Sequence, residues 1–561
     1  MHATQPQARR AITLPTNIHI PVYIASFFDS QPDFQTRPLV LNMPYLLSLG
    51  QAVLSAKIQH VETFNMGISG AGKQRVPNKL DFDDVAILLM SLFTFKNVQM
   101  TERVEDTLLA YYVESDENGK LGTYETNTRR MFELMERIAP TFKNKDMQDV
   151  LDKIERGVPT VEQTKDRHLF IVKNGIYNQQ TRELYDFSPD FVYLTKIPVD
   201  FYHNPQNPTI TASDGYQWDV ESWLRDLAVD DDTATLIWQV IADCLQPHYS
   251  RHKSIWFYSE KGNNGKGTIG QLIKNLLGKG NYASLSVSDF NHEFLKETLL
   301  GAAANISDEN DVDVFIDSIK DYKASVTGDD ININRKYEKP LRIQFLGTNI
   351  QMMNGLPKTK DKSDSFYRRL ILVPFLKSFT NNGERKYIKT DYINRSDVLE
   401  YVLSKVVNIQ FDEYINPASS AALLESYKEK NNPVLEFWNE LKDEFVWDLL
   451  PTQFLYDLFG KWFEINNPSG KVMSKRSFTD ALTAVINNAG DPWVDKTGQN
   501  DKVRTKDLMN KDEPLISQFG LDLPNRAGKP TPWVDPQSKS PNPTQRRKFP
   551  RAQTYRGYVR M

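Results

Sequence analysis

The stretch with the clearest chemical potential is Ser254–Thr268, SIWFYSEKGNNGKGT. The apolar run Ile255–Tyr258 reads as a short buried strand. Gly262, Asn263, Asn264 and Gly265 form a turn, and Lys266, Gly267 and Thr268 open a helix whose apolar positions over Ile269–Leu277 share one face. Strand, glycine turn, lysine, helix is the layout of a phosphate cradle. Glycines let backbone N–H groups face inward, the helix N-terminus adds partial positive charge, and Lys266 reaches the terminal phosphates. The spacing departs from G-x-x-x-x-G-K-[ST]. Glu260 stands where the first glycine belongs and Gly267 where the hydroxyl belongs, which leaves Thr268 as the hydroxyl one step on. The same letters also describe a glycine-rich surface turn ahead of a helix.

Further candidates follow downstream. Leu300–Ile306 reads as a buried strand ending in Ser307, Asp308 and Glu309. Beside a phosphate loop, Asp308 can hold a Mg²⁺ ion and Glu309 can polarise a water; alone, the segment is equally a solvated acidic turn. Ile319–Pro340 reads as a helix, a turn at Gly328–Asp330, and a hairpin whose tip carries Arg335, Lys336, Tyr337 and Lys339. Those cations suit the phosphates of single-stranded DNA and the tyrosine suits base stacking, although an ordinary charged hairpin has the same composition. Arg342–Gly347 reads as a core strand ending in Thr348 and Asn349, with Asn349 placed either to orient water or simply to end the strand in a turn. Arg368 and Arg369 precede the apolar run Leu370–Phe375, where one could neutralise phosphate charge in a neighbouring subunit or both could sit on the surface.

Two nearby patterns imitate these. Gly67–Lys73, GISGAGK, fits the cradle spacing better, yet Gln74 replaces the hydroxyl and Pro77 falls where a helix would begin. It is expected to be a loop. Asp81 and Asp83 resemble the paired aspartates of archaeal-type primases, but the expectation is that they cap the helix after them. Cys244, the only cysteine, is expected in the core of a helix over Ala234–Leu245. A lone cysteine excludes intrachain disulfides and zinc fingers and fits a reducing compartment.

The chain has 561 residues and a net charge of −4, so several domains are expected and any nucleic-acid surface must be local. No apolar run is long enough to span a membrane and the N-terminus lacks a signal-peptide core, so no membrane partner and a cytoplasmic location are expected.

Taken in order, NGKGT, the ISDE strand end, TGDDININRKYEKP with FLGTN, and FYRRLILVPF resemble the superfamily 3 helicases of the phage and mobile-element primase-helicase type, relatives of poxvirus and satellite-phage replication helicases. The stretch from Asp166 to Phe201 also resembles that family's pre-helicase domain. The resemblance implies an α/β fold with an AAA+-like P-loop ATPase core, a central parallel sheet, α+β N-terminal regions and a C-terminal winged-helix-like module. It implies ATP and Mg²⁺ held by Gly262–Thr268, with Lys266 and Thr268 foremost, and by Asp308 with Glu309. It implies Lys336 on a translocating hairpin, Asn349 as sensor, and Arg368 or Arg369 as arginine finger. The expected organisation is a helical region over 1–155, a pre-helicase domain over 156–250, the helicase core over 251–385, a connector over 386–432, a winged-helix-like module over 433–519 in which Lys475 and Arg476 face DNA, and a basic proline-rich tail over 520–561. The expected activity is 3′-to-5′ unwinding by a hexameric ring at an origin of a phage, plasmid or genomic island, with a primase or other replication protein as partner. A bifunctional primase-helicase and an origin-binding initiator with weak ATPase activity are the alternatives.

Overall fold

The computed structural model describes residues 11–36, 42–115, 119–308, 310, 315–316, 318–336, 338–359, 363–379, 384–466, 472–489, 492–505, 508–523, 532–534 and 553–561. Glu309 and Tyr337 therefore lie outside the described residues. The chain divides into two compact units, Met1–Leu424 and Glu425–Met561.

In the first unit, the N-terminal region sets helices against a four-stranded sheet with the order Tyr124–Glu125, Thr107–Tyr112, Phe95–Gln99, Thr160–Val161. The expected helices appear as Phe82–Leu92 and Thr128–Ile138. Asp81 is the N-cap of the first, its side chain accepting from the Asp84 N–H while Asp84 closes the capping box. Leu169–Val172, Gly175–Asn178 and Glu183–Tyr185 then form an antiparallel meander. One hydrophobic cluster joins this meander, the helix Asp231–Cys244 and the segments that follow as far as Val407. Cys244 is fully buried in it, as expected of a small core residue.

The centre of the unit is a parallel sheet. Its strands are β1 (Ser254–Tyr258), β2 (Tyr282–Ala283), β3 (Ala304–Ser307), β6 (Thr348–Met353) and β7 (Leu370–Pro374); β4 (Asp330–Ile333) and β5 (Leu341–Gln344) form a separate antiparallel hairpin. The sheet order is β2-β3-β6-β1-β7, with every pair parallel. Helix α1 (Lys266–Leu277) carries the chain from β1 to the far edge, and its Ile269, Leu272, Ile273 and Leu276 are completely buried. Each such side chain contributes about 1.5–3 kcal/mol of burial free energy, which fixes the start of α1 over the sheet.

The expected strand over 342–347 is corrected by this topology. Leu341–Gln344 alternates buried and half-buried residues, the pattern of a hairpin arm, whereas Thr348–Met353 is buried throughout, the pattern of a core parallel strand. Gly347 separates them at a close approach, since a Cβ there would lie 2.3 Å from the Ala303 carbonyl oxygen. The polar letters of TNIQMM conceal a core strand whose amides bond to Asn305 of β3 and to the Ser325 and Leu285 carbonyls.

In the second unit the element order is helix Pro433–Leu441, strand Leu449–Pro451, helix Thr452–Asn466, helix Lys475–Ala489, strand Trp493–Lys496 and strand Gly557–Arg560. The last strand pairs with both others. Phe437, Trp438, Phe459, Trp462 and Phe478 fill the core between helices and sheet. Trp533, from the tail, is buried there and donates to Asp457 Oδ2 at 2.9 Å. Among the described residues no helix is long and apolar enough to cross a membrane.

Candidate functional site

In an open parallel sheet, ligands bind beyond the carboxyl ends of the strands, where the strand order reverses. Here the reversal falls at β1, since β6 and β7 flank it while α1 leaves for the far edge. The Ser259–Gly265 loop occupies that position. Asn264 is buried and braces the loop: its amide donates to the Lys261 carbonyl and its Oδ1 accepts from the Lys266 N–H at 3.2 Å. Asn263 (φ 54°) and Gly265 (φ 89°) both take the left-handed conformation, which turns the chain into α1. A Cβ at residue 265 would come within 2.6 Å of Leu227, so only glycine fits that position without displacement.

Lys266 begins α1 and is 6% exposed. Its ammonium donates to the Met353 carbonyl at 3.0 Å, to Asn354 Oδ1 at 2.9 Å and to the Ser259 carbonyl at 3.3 Å. Among the described residues no carboxylate pairs with it, and burial pushes its pKa down to about 8. A buried ammonium held by neutral oxygens alone is deficient in negative charge, which is the electrostatic condition for receiving an anion.

A cavity of about 440 Å³ opens against the other side of the loop, lined by Asn263, Asn264, Gly265, Gly267 and Thr268. Tyr216, Trp223, Leu227, Phe379 and Ile388 supply apolar walls, and Arg385, Lys386 and Lys389 supply cations. The Arg385 guanidinium lies 3.6 Å above the Tyr216 ring, and the Lys389 ammonium sits 3.7 Å from where a Cβ on Gly267 would stand. An apolar-walled cleft joined to a helix N-terminus and cations fits the group expected there, a nucleoside triphosphate. The sequence reading missed these walls and cations. The only signal was ERKYIKT, in which Arg385 and Lys389 stand four apart and Lys386 and Lys389 three apart, on one helix face.

Asp308 follows β3 and lies beside α1, its Oδ1 3.6 Å from where a Cβ on Gly270 would stand. Gly270 is one helical turn, about 6 Å, past Lys266. Asp308 Oδ2 is paired with Lys274 Nζ at 2.7 Å, a partner the sequence reading did not foresee. Thr268 lines the cavity rather than touching Asp308. Among the described residues no group of three or more His, Cys, Asp or Glu side chains is placed to hold a metal. Asp308 and Thr268 would each offer at most one protein ligand to a Mg²⁺ ion whose remaining ligands are phosphate oxygens and water.

Asn349 requires correction. It is the second residue of β6 and pairs in register with Ser254, at the start of β1, so it lies a strand length of about 13 Å from the phosphate loop. It is fully buried, donating to the Ser325 carbonyl at 3.2 Å and accepting from Asn305 at 3.3 Å. The amide at the loop end of β6 is Asn354, in contact with Lys266.

Arg368 and Arg369 precede β7 and stand at the amino end of the sheet, opposite the loop. Arg369 is folded back onto Ser365, to its carbonyl and to its hydroxyl at 2.9 Å. Arg368 is exposed, and its guanidinium makes no hydrogen bond or ion pair among the described residues. Lys253 donates to the Arg368 carbonyl. Burial depresses the pKa of Lys253 and the two guanidiniums add to the depression, against the opposing charge of Glu413.

The hairpin is present, with Lys336 and Lys339 exposed at its tip. Arg335 is turned inward, paired with Glu338 and donating to the Lys339 carbonyl at 3.5 Å, so it braces the tip instead of reaching outward. The N-terminal sheet holds the hairpin's base: the Gln344 N–H donates to the Met100 carbonyl at 3.0 Å and Arg342 pairs with Asp106 at 3.1 Å. In the second unit, Lys475 and Arg476 open an exposed helix start, with Lys475 donating to Gln453 at 2.6 Å.

The first imitation is the expected loop; at the second, Asp81 caps the helix as expected, but Asp83 does not, the capping-box partner being Asp84. Gly70–Gly72 is one 3₁₀ turn with no helix after it before Phe82, and Asn65 closes it by hydrogen bonds to both backbone groups of Gln74 at 2.7 Å. Lys57 bridges Asp81 and Asp84 at 2.6 Å each, and Lys153 pairs with Asp83 at 2.8 Å. These carboxylates are neutralised by ammonium groups rather than arranged around a cation.

Comparison with known proteins gives three family matches along the chain. Residues 96–247 match the family "D5 N terminal like", 257–369 match a "Family of unknown function (DUF5906)", and 429–514 match "Poxvirus D5 protein-like". No curated protein matches. Among solved structures, the apo C-terminal region of NrS-1 aligns with a TM-score of 0.40 at 13% identity, over 77% of this chain and 89% of that one. A JCV helicase aligns with a TM-score of 0.24 at 14% identity, over 37% of this chain and 58% of that one.

Proposed function

Since this chain belongs to the D5-like primase-helicase family, we propose that it is an ATP-driven DNA helicase working as a ring, most simply a hexamer, in the initiation of DNA replication. The observation that carries this reading is the buried Lys266 ammonium, surrounded by neutral oxygens at the carboxyl edge of the sheet beside a cavity of nucleotide size.

In this reading ATP, with Mg²⁺ bridging its phosphates, supplies the phosphoryl group whose transfer to water releases the driving energy. Lys266 turns from its carbonyl partners toward the phosphates, and Lys389 neutralises charge from across the loop. Thr268 and Asp308 are the residues that would hold the metal, and Asp308 would have to exchange its Lys274 partner for it. Asn354 takes the sensor role assigned to Asn349, since it touches Lys266 and ends the strand next to β1. Of the two arginines, Arg368 is the finger: it is exposed and uncommitted, and its place at the opposite end of the sheet suits a neighbour's phosphates rather than its own. Lys336 and Lys339 grip the strand's phosphates, with 3′-to-5′ movement as the family implies. The order of helices and strands in Glu425–Met561 supports a winged-helix-like module that presents Lys475 and Arg476 to duplex or origin DNA. Pairing of Asp81, Asp83 and Asp84 with lysines removes the support that a primase site in residues 1–155 would have needed.

The test is ATP turnover with and without single-stranded DNA. DNA should stimulate the native protein. Lys336→Ala should lose stimulation and keep basal turnover. Arg368→Ala mixed with Lys266→Ala should regain activity that neither has alone, because each subunit supplies what the other lacks. Turnover indifferent to DNA would overturn the helicase reading, and DNA binding without turnover would indicate the passive initiator.

A further inference from the structure

A second cavity, of about 400 Å³, lies in the first unit between the meander and the helix Ser396–Val406. None of the residues assigned to ATP or to the DNA hairpin lines it. Its floor is Tyr177 and Phe201, both buried, with ring centroids 4.0 Å apart in a stacked arrangement. His203 stands edge-on to Phe201 at 5.0 Å. Arg182, His203 and Asn204 are exposed at its rim, and their side chains make no hydrogen bond or ion pair among the described residues. Across from them lie Ser404, Lys405 and Asn408. No carboxylate lines the cavity; Glu221, just outside, is held by Lys405 at 2.5 Å and by the Tyr401 hydroxyl.

Arg182 and Asn204 also share a backbone feature: φ is 59° and 51°, the left-handed region that side-chain-bearing residues seldom occupy. Both therefore sit at tightly specified corners of the cavity rim.

We propose that this cavity binds a nucleoside phosphate, with the base on the exposed His203 ring, which the buried Phe201 and Tyr177 brace, and the phosphate on Arg182. A guanidinium matches a phosphate with two parallel hydrogen bonds, and an aromatic ring accepts any base. Such a group is presented either by a free nucleotide or by one unit of a DNA strand.

The experiment uses the full-length protein without ATP. Binding of a 5′-fluorescein-labelled thymidine 20-mer is followed by anisotropy over a range of salt, and binding of thymidine 5′-monophosphate by calorimetry. The variants are Arg182→Glu and His203→Ala, both at exposed positions, with Arg182→Gln as the milder change; unchanged DNA-free ATP turnover establishes that each is folded. If the source is a strand, Arg182→Glu weakens the 20-mer about tenfold and lowers the salt slope by about one, additively with Lys336→Ala. If the source is a free nucleotide, the monophosphate binds the native protein but neither Arg182→Glu nor His203→Ala, while the 20-mer is unaffected. Unchanged affinity for both ligands in all three variants overturns the proposal.

Discussion

Gly67–Lys73 and Gly262–Lys266 each end a glycine-rich turn in a lysine, and their surroundings differ at every level. The first follows a helix, closes on itself through Asn65 and Gln74, and runs into extended chain. The second follows a fully buried strand and leads into a helix clamped over the sheet by four completely buried aliphatic side chains. Lys73 is exposed, whereas Lys266 is buried among oxygens of three other residues. The better letter spacing belongs to the segment without a cradle. A phosphate loop is made by the strand before it and the helix after it, which fix where the backbone N–H groups and the lysine point. The spacing of the glycines themselves has slack.

The largest test of this contrast is the pair of lysine truncations. Lys266→Ala should lower ATP turnover on the order of 10²–10³-fold, the usual cost of removing one preorganised charge-stabilising donor. Lys73→Ala should change turnover less than about twofold, since its side chain has no defined surroundings to lose. Steady-state turnover at saturating ATP measures both. A collapse of activity in Lys73→Ala with native-like turnover in Lys266→Ala would reverse the assignment.

Two asparagines at the opposite ends of β6 sharpen the contrast next, Asn349 inside its start and Asn354 just after its end. Asn354→Ala should lower kcat by about 10–100-fold with little change in KM, since it touches Lys266 where the phosphates would lie. Asn349→Ala should instead cost about 1–3 kcal/mol of stability, by removing the buried hydrogen bonds that Asn349 makes with Asn305 and the Ser325 carbonyl. Urea unfolding alongside turnover at 25 °C separates the two outcomes.

Why Asn349 rather than Asn354 stood out in the sequence is instructive. The α/β class, the glycine turn between β1 and α1, the hairpin Asp330–Gln344 and the cap at Asp81 were all legible, because each rests on a local pattern: an apolar run, a glycine turn, alternation or an N-cap. The register of the core was not. Thr348, Asn349 and Gln351 look like the end of a strand, yet they are buried inside one, satisfied by partners from Asp243, Asn305, Ser325 and the Leu285 carbonyl. Those partners are distant in sequence, so no window around residue 349 contains them. The cavity walls from Tyr216 and Trp223 to Lys389 were hidden for the same reason, since a long stretch of chain separates them and only tertiary packing brings them to the loop. Sequence also gave no sign that Lys274 would occupy Asp308 or that Glu338 would turn Arg335 inward.

The two left-handed glycines, Gly70 at φ 82° and Gly265 at φ 89°, sharpen the contrast within the turns themselves. Alanine at either position carries the cost of that conformation, about 1–2 kcal/mol. At Gly70 the Cβ enters open space, so nothing more is expected. At Gly265 it meets Leu227 at 2.6 Å, and overpacking adds about 1–3 kcal/mol. Leu227 also lines the nucleotide cavity, so Gly265→Ala should weaken nucleotide binding and Gly70→Ala should not. Equal melting shifts for the two variants would mean the loop is not packed as described.

The smallest effect is in pH, and its sign follows from burial. Lys266 has its pKa pushed down to about 8 by burial without a counter-charge, so in the nucleotide-free protein its ammonium loses a proton as pH rises through 8. A bound phosphate restores the charged form, and above pH 8 binding must therefore take up a proton. Nucleotide affinity is then fully present below pH 8 and falls above it, by about tenfold between pH 7 and pH 9 if the bound lysine stays charged throughout. Calorimetry in two buffers of different ionisation enthalpy should show the proton uptake directly. Lys266→Arg, which remains charged over this range, should flatten the profile, and Lys73→Arg should leave it unchanged. A native profile that is flat from pH 7 to 9, with no proton uptake, would mean that the ammonium is already charged and compensated before nucleotide arrives. The charge deficit that distinguishes the second lysine from the first would then have to be filled within the protein.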